Sequence, residues 1–439
     1  MKNLIKLLSL TVGAGFLLVS CEGPMGPAGK DGTAGKDANE TCKLCHNSTV
    51  VEEKATEFEF SKHSYGEAEF EEAGNTSCAP CHSMKGFQAV VANATPTTFT
   101  LDATSGKYVN NYAAPANQAY GEFGCPTCHV NLHTTYTDAD FFPLTTTAAV
   151  PMTMWAGAKS INLTQDDSKA NLCAKCHQPR PVTKSTDGNV IDYASLAANP
   201  TTVFYDSTTA NMGSNILKVS YRTGVHYGTV GAMLAGKGGV EFTGSLSYTN
   251  SSHTTVASCQ DCHMADVTGR VGGHTFFSKG NFNGCNVTGC HSTSPLSATA
   301  TKFTSTRATY KTLLQSLATK LKQGGVEILN KNGDATSNLW AGLTTNNYDG
   351  YINVYDPINN PTGPTYNASS FRNPSTTGWT AAQIATNNSL PKLNLKNVQM
   401  GAIINFQMGL REYSLGVHNN SYSTALLQNS IDALTTAGF

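Results

Sequence analysis

Residues 76–86 are "TSCAPCHSMKG", in which two cysteines stand two residues apart and a histidine directly follows the second. A single copy of this pattern fits chance, half of a zinc site or a covalently attached group. The chain has 439 residues and 13 cysteines, and twelve of those cysteines fall into six such groups. The groups are "CKLCH" (Cys42, Cys45, His46), "CAPCH" (Cys78, Cys81, His82), "CPTCH" (Cys125, Cys128, His129), "CAKCH" (Cys173, Cys176, His177), "CQDCH" (Cys259, Cys262, His263) and "CNVTGCH" (Cys285, Cys290, His291).

The spacing C-x-x-C-H is the attachment signature of c-type haem. The two thiols bond to the two vinyl groups of one porphyrin, and the adjacent histidine then ligates the iron. A zinc ribbon also pairs C-x-x-C units, but it does not need a histidine after each pair. Disulfides suit an exported protein, yet they do not explain six histidines. The sequence therefore predicts six covalently bound haem c groups. In the variant "CNVTGCH" an enlarged loop separates the thiols, and the alternative that this motif holds no haem stays open.

The remaining histidines match the motifs in number. Twelve histidines are present, and the six outside the motifs are His63, His133, His226, His253, His274 and His418. Six irons with one motif ligand each need six further ligands, so the sequence predicts bis-histidine ligation throughout. The alternative is that one of the ten methionines replaces a histidine at one iron.

Local spacing restricts the pairing of these ligands. His129 and His133 are four residues apart, so on a helical turn they face the same way. Axial ligands of one iron lie on opposite faces of the porphyrin, and His133 should therefore serve a different haem from His129. The same reasoning predicts that His253 and His274, which flank the motif at 259–263, ligate neighbouring haems. The haems are thus expected to pack closely.

The N-terminal residues predict export. Lys2 and Lys6 precede an apolar run that is too short to span a membrane comfortably. The ending "LLVSC" resembles a bacterial lipobox, in which Cys21 is acylated after cleavage, and several acyl chains give stable anchoring. The alternative is an ordinary secretory signal. Glu22 follows, which by resemblance to enteric sorting favours the outer membrane.

Composition limits the fold and the partners. The net charge is −1 and charged residues make up 13% of the chain, so nothing indicates nucleic-acid binding. Aliphatic residues are modest in number, which predicts a thin side-chain core, a haem-filled interior and an unfolded apoprotein. The fold class predicted is mainly α with extensive irregular loops and closely packed haems as its core. Thr/Ser/Asn-rich stretches at 93–120, 134–165 and 185–215 are typical of loops or short ribbons.

The predicted organisation has four parts. Residues 1–20 form the signal peptide, and 21–40 the lipidated cysteine with a Gly-X-Y tether, too short for a stable collagen helix. Residues 41–299 bind six haems, and 300–439 form a helical region. There, helical spacing predicts a helix in residues 305–324 with Tyr310, Leu313, Leu314, Leu317 and Leu321 on one face. A second runs from about 395 to 413, with Val398, Ala402, Phe406 and Leu410 on one stripe, and a third from about 421 to 434. His418 lies between the last two.

Two stretches carry a family resemblance: 224–242 with 251–276 ("GVHYGTVGAMLAGKGGVEF…SSHTTVASCQDCHMADVTGRVGGHTF"), and 411–430 ("REYSLGVHNNSYSTALLQNS"). They resemble a multihaem cytochrome superfamily that includes ammonia-forming nitrite reductases, octahaem reductases and outer-surface cytochromes. The resemblance implies that His418, His253 and His274 are distal haem ligands. The lipoprotein signal and tether look like those of surface cytochromes of metal-respiring bacteria. The reductases keep one haem face open to substrate, whereas here enough histidines are present to close every iron.

The leading hypothesis is an electron carrier rather than an enzyme. It would sit at the outer cell surface, receive electrons from other multihaem cytochromes or a porin–cytochrome conduit, and pass them to extracellular acceptors. Histidine pairs lack the thioether that raises the potential of Met/His haems, so low potentials are expected. One alternative is a reductase of small nitrogen or sulfur oxyanions such as nitrite, hydroxylamine or tetrathionate. Another is a homopolymeric haem filament in which His63 serves a neighbouring subunit.

Overall fold

The computed structural model describes residues 51–65, 78–93, 99–101, 108–110, 122–135, 137–184, 189–205, 222–323, 326–329, 348, 350–352, 381–382 and 393–439. The signal peptide, Cys21, the tether and the first motif with Cys42, Cys45 and His46 lie outside the described residues. The other five motifs and all six histidines outside the motifs are described.

Helices dominate the regular structure. In the motif region they are short: α1 (Val51–Glu59), α2 (Lys62–Tyr65), α3 (Ala79–His82), α4 (Met84–Asn93), α5 (Cys125–Cys128), α6 (Ala170–Cys176), α7 (Tyr193–Ala198), α8 (Val230–Leu234), α9 (His253–Val256) and α10 (Cys259–His263). The C-terminal helices are longer: α11 (Thr301–Lys320), α12 (Asn397–Arg411) and α13 (Asn420–Thr436).

Strands are few and very short. They are β1 (Phe99–Leu101), β2 (Tyr108–Asn110), β3 (Val150–Pro151), β4 (Ser160–Ile161), β5 (Val203–Tyr205), β6 (Lys322–Gln323), β7 (Val326–Glu327) and β8 (Leu395–Lys396). Throughout the described ranges they pair as two-stranded antiparallel ladders: β1 with β2, β3 with β4, β5 with β8 and β6 with β7. The fold is therefore mainly helical with little sheet, in agreement with that part of the sequence prediction.

The three C-terminal helices lie where the sequence predicts them. In α11 the predicted face is buried at Tyr310, Leu314 and Leu317. For α12 the single apolar stripe was too narrow a prediction, because all fifteen of its residues are buried. Such a helix is surrounded by protein on every side, and it forms the centre of this part of the molecule.

The side-chain core is larger than the composition predicts. One continuous cluster of buried apolar residues joins segments 150–163, 191–204 and 225–242 to α11, α12 and α13. Tyr310 and Gly409 show how closely the helices approach, since a Cβ at Gly409 would lie 2.7 Å from the Tyr310 hydroxyl. The expectation of a thin core is wrong for these segments, and the core draws residues from both sides of residue 300.

Buried amides of α12 fix the chain that leads through His226. The Asn405 side chain accepts from Val240 N at 2.8 Å and donates to Val240 O and to Ser430 Oγ, each at 2.8 Å. Two residues further along α12, the Gln407 side chain accepts from Val225 N at 2.9 Å and donates to Thr223 O at 3.0 Å. Satisfied buried amides of this kind specify one backbone path.

Candidate functional site

Each regular motif in the described ranges folds as a helical turn. His129 N donates to Cys125 O at 3.0 Å, and His177 N donates to Cys173 O at 2.9 Å. This bond brings the histidine back beside the first cysteine of its motif. In α10 the turn is further fixed by a capping box, in which Ser258 Oγ accepts from Asp261 N at 3.2 Å. Two thiols and one imidazole are thus held on a short, fixed piece of backbone.

The long motif closes in the same way. His291 N donates to Cys285 O at 3.0 Å, although four residues separate the two cysteines of this motif. The extra residues bulge through Gly289, whose φ of +88° is in the left-handed region that favours glycine. The loop therefore keeps the histidine-to-cysteine contact of the regular motifs. This supports treating Cys285, Cys290 and His291 as an equivalent site.

Thiols of different motifs lie against one another. The side chains of Cys81 and Cys176 are hydrogen-bonded, as are those of Cys173 and Cys259, and Cys176 Sγ lies 3.9 Å from Pro80 O. The ten described motif cysteines form no disulfide. Burial raises the pKa of Cys128 to about 12, with smaller contributions from neighbouring thiols. The motif at 173–177 is consequently adjacent to the motifs at 78–82 and 259–263.

Four histidine pairs stand out, and each joins one motif histidine to one histidine outside the motifs. The distances between ring centres are 6.1 Å for His177 with His63, 6.4 Å for His129 with His274, 6.3 Å for His263 with His418, and 6.2 Å for His291 with His253. The angles between ring planes are 69°, 29°, 12° and 77°, in the same order. No two of these pairs share a histidine.

The spacing fits two axial ligands of one iron. A metal–imidazole bond is about 2.0–2.1 Å long, and the ring centre lies about 1.1 Å behind the coordinating nitrogen, so two rings on opposite sides of one metal are about 6.3 Å apart. All four measured separations fall within about 0.2 Å of this value. The donor set of these residues therefore fits a haem between each pair.

Hydrogen bonds set the tautomer of several of these rings. Nδ1 lies 2.7 Å from Phe141 O in His129, 2.8 Å from Phe276 O in His263, and 2.7 Å from Val417 O in His253. A carbonyl oxygen only accepts, so Nδ1 must carry the proton. Nε2 then keeps its lone pair for a metal. This is the usual arrangement of a metal-ligating histidine and its hydrogen-bond partner.

Two buried carboxylates lie beside ligand candidates. Glu412 Oε2 accepts from His418 Nδ1 at 2.7 Å. Glu57 Oε2 accepts from the His274 amide at 2.8 Å but lies 3.6 Å from His274 Nδ1, and its Oε1 pairs with Lys54 Nζ at 2.7 Å. Burial opposes ionisation of Glu57, yet the hydrogen bonds from Lys54 and His274 keep its pKa below the ordinary value. The sequence analysis missed both glutamates.

His177 lies among several other site histidines, and its own surface is exposed to solvent. The protein packed around the ring, followed by the neighbouring rings of His63, His263, His418 and His82, lowers its pKa. A neutral imidazole is the form that binds metal.

Three described site histidines lie outside these four pairs. His82 ends α3, His226 lies beside Tyr227 with ring centres 5.7 Å apart, and His133 is exposed. His133 also has a φ of +63°, which is uncommon for a residue other than glycine. As the sequence predicts, the rings of His253 and His274 face histidines other than His263. His63, which the sequence suggests as a ligand for a neighbouring subunit, faces His177 of its own chain.

A zinc ribbon would bring four Cys or His side chains to one point, and the described part of the chain holds no group of three or more His, Cys, Asp or Glu so placed. Within those ranges, no helix is both long and apolar enough to cross a bilayer. No family model, curated protein or solved structure matches the chain.

Proposed function

We propose that the chain is a hexahaem c-type cytochrome that carries electrons and binds no small substrate at its irons. The observation that carries this proposal is the set of four histidine pairs with ring centres 6.1–6.4 Å apart. Covalently bound haem would supply a one-electron carrier at each motif. The two rings of each pair would occupy both axial positions and leave none for nitrite, hydroxylamine or another ligand.

The pairing of ligands follows from these contacts. His63, His274, His418 and His253 are assigned to the motifs that end in His177, His129, His263 and His291. His226 is assigned to His82 through the neighbours of Cys176. A Cβ on Gly228 would lie 3.7 Å from Cys176 O, and Cys176 in turn contacts Cys81 and Pro80 of the motif that ends in His82. His133 then remains for His46, which agrees with the expectation that it serves a haem other than that of its own motif.

The protein's own residues favour rapid, reversible electron exchange. The cysteines fix each porphyrin to a helical turn, and the carbonyls of Phe141, Phe276 and Val417 hold ligand rings in one orientation. An iron held between two fixed imidazoles needs little rearrangement when its charge changes. The rigid ligand shell therefore suits transfer of electrons rather than bond-making chemistry.

Contacts between motifs support a continuous relay. Cys81 meets Cys176, and Cys173 meets Cys259. Cys262 lies close enough to Cys285 and Cys290 for their charges to raise its pKa, after burial, to about 11. The motif at 173–177 thus joins the motifs at 78–82 and 259–263, and the latter leads on to 285–291. We propose that electrons pass through the haem at 173–177 as the junction of this array.

The cellular setting rests on residues outside the described ranges. From the lipobox-like sequence that ends at Cys21 and from the tether, we propose that the cytochrome is anchored to the outer membrane and faces outward. Its electron donors would be other multihaem cytochromes or a porin–cytochrome conduit. Its acceptors would be extracellular, such as metal oxides, redox shuttles or partner cells.

Turnover separates the carrier from the reductase. The protein, reduced under anaerobic conditions and mixed with a soluble quinone shuttle or iron oxide, should be reoxidised at all haems. Mixed with nitrite or hydroxylamine, it should stay reduced. Catalytic consumption of either compound, together with a high-spin ferric signal in the resting protein, would overturn the carrier and favour the reductase.

A further inference from the structure

One axial ligand is bonded to a buried charge. The Glu412 side chain is 1% exposed, and its Oε2 accepts from His418 Nδ1 at 2.7 Å. The other ligand candidates with a described Nδ1 hydrogen bond, His129, His253 and His263, donate to neutral backbone carbonyls. His418 therefore differs from them in the charge of its partner.

The loop between α12 and α13 is built around this carboxylate. Ser414 Oγ donates to Glu412 Oε2, and Gly416 N donates to Oε1 at 2.9 Å. Tyr413, Leu415 and Gly416 all have φ between +59° and +87°. Left-handed backbone at non-glycine residues persists only where the surroundings hold it, and here it folds the loop so that its donors face the carboxylate.

The carboxylate is charged in this setting. The Glu412 carboxyl group only accepts in these contacts: Oε1 accepts from Gly416 N, and Oε2 accepts from Ser414 Oγ and His418 Nδ1. Three accepted hydrogen bonds shared between both oxygens favour the ionised carboxylate over the acid. A hydrogen bond to an ionised acceptor is stronger than one to a neutral acceptor. The His418 N–H proton is consequently drawn toward Glu412, and the ring becomes a more electron-rich donor at Nε2.

We propose that Glu412 is a positioning residue that gives the haem held by Cys259, Cys262, His263 and His418 the most negative potential in the protein. A more basic axial ligand and a nearby fixed negative charge both favour ferric over ferrous iron. Electrons would pass this haem only transiently, and the carboxylate would set the largest energetic step along the relay. This inference rests on the proposed function, since it requires a haem between His263 and His418.

Glu57 offers a matched comparison within the same chain. It is also a buried carboxylate beside a distal ligand, but it is paired with Lys54 and lies 3.6 Å from His274 Nδ1, outside hydrogen-bonding distance. The cation offsets its charge and the ligand proton is not drawn toward it. Removing the Glu57 carboxylate should therefore change the potential of its haem much less.

The test is a redox titration of the six-haem protein and of two variants, Glu412→Gln and Glu57→Gln. Electronic absorption and electron paramagnetic resonance (EPR) spectra report the ferric and ferrous haems at each potential. In Glu412→Gln the ferric-to-ferrous ratio of one haem at fixed potential should fall at least tenfold, an upward shift of about 59 mV or more for a one-electron couple. In Glu57→Gln the change should be less than threefold. Equal shifts in both variants, or none in Glu412→Gln, overturn the inference.

A measurement on the unmodified protein guards against a variant that fails to fold. The rings of His263 and His418 are 12° from parallel, so the last ferric species lost as the potential is lowered should show the EPR signal of near-parallel ligands. A last species with perpendicular ligands overturns the inference. Six low-spin haems without the expected potentials refute only the role of Glu412. Fewer than six haems, or a high-spin fraction, refute the proposed function itself.

Discussion

Removing one distal histidine should abolish one EPR signal, and the angle between the two ring planes at that haem should decide which signal is lost. The planes of His129 and His274 are 29° apart, whereas those of His177 and His63 are 69° apart. Near-parallel imidazoles interact with the same one of the two iron dπ orbitals. This separates the energies of the two dπ orbitals and gives a rhombic low-spin signal. Near-perpendicular imidazoles interact with both orbitals alike, which gives a highly anisotropic signal with a large maximal g value.

The variants His274→Ala and His63→Ala are a matched pair, because each removes one distal ligand. In each, one haem in six should become high-spin and bind cyanide. His274→Ala should lose rhombic intensity, and His63→Ala should lose large-g intensity of the same size. The measurement is a spin-quantified EPR spectrum of the ferric protein, with the haem count confirmed for both variants.

Two results would refute the pairing. If both variants lose intensity from the same signal, the ring planes assigned to the two haems are wrong. If either variant keeps six low-spin haems, the removed histidine is not an axial ligand. Added imidazole should restore the low-spin state in both variants, which distinguishes loss of a ligand from a general disturbance of folding.

Three further predictions concern the protein around the haem sites. Asn405→Ala leaves both polar groups of the buried Val240 backbone without their partner. It should lower the free energy of unfolding, measured by chemical denaturation, by about 2–4 kcal/mol. An effect below about 1 kcal/mol would contradict the assigned hydrogen bonds. Phe406 lies in the middle of α12 and is fully buried, so Phe406→Ala should lower the free energy of unfolding by about 3–5 kcal/mol. The absorption spectrum at room temperature should stay unchanged. A shifted spectrum would mean that the side-chain core and the proposed haem sites are not separate. Ser258→Ala removes the cap on the Asp261 amide and should cost about 1 kcal/mol with no haem lost, and a protein with five haems would disagree.

The sequence was most informative where function depends on local spacing. The motifs need only a few adjacent residues, and the helical turn of each described regular motif follows from that spacing. The long loop that ends at His291 closes on Cys285 by the same histidine-to-cysteine hydrogen bond. Helices α11, α12 and α13 were also predicted, because their apolar residues repeat at helical intervals. Spacing alone predicts that His253 and His274 do not pair with His263, and the ring contacts of these two histidines are with His291 and His129.

Long-range contacts were not predictable in this way. His177 and His63 are separated by more than a hundred residues, and no periodicity links them. Glu412 meets His418 only because the intervening loop adopts left-handed backbone. The large core was missed because its apolar residues come from many separate segments. Helix α7 was missed inside a Thr/Ser-rich stretch, although Asp192 caps it by accepting from Ser195 N at 3.1 Å.

The most direct test of the whole account is the mass of the intact, denatured holoprotein. Covalent haem survives denaturation, so the mature polypeptide should carry the added mass of six haem c groups, one for each motif that includes "CNVTGCH". A chain with five or fewer haems, or one whose added mass is removed by a chelator, would contradict the assignment on which the ligand pairs and the electron relay depend.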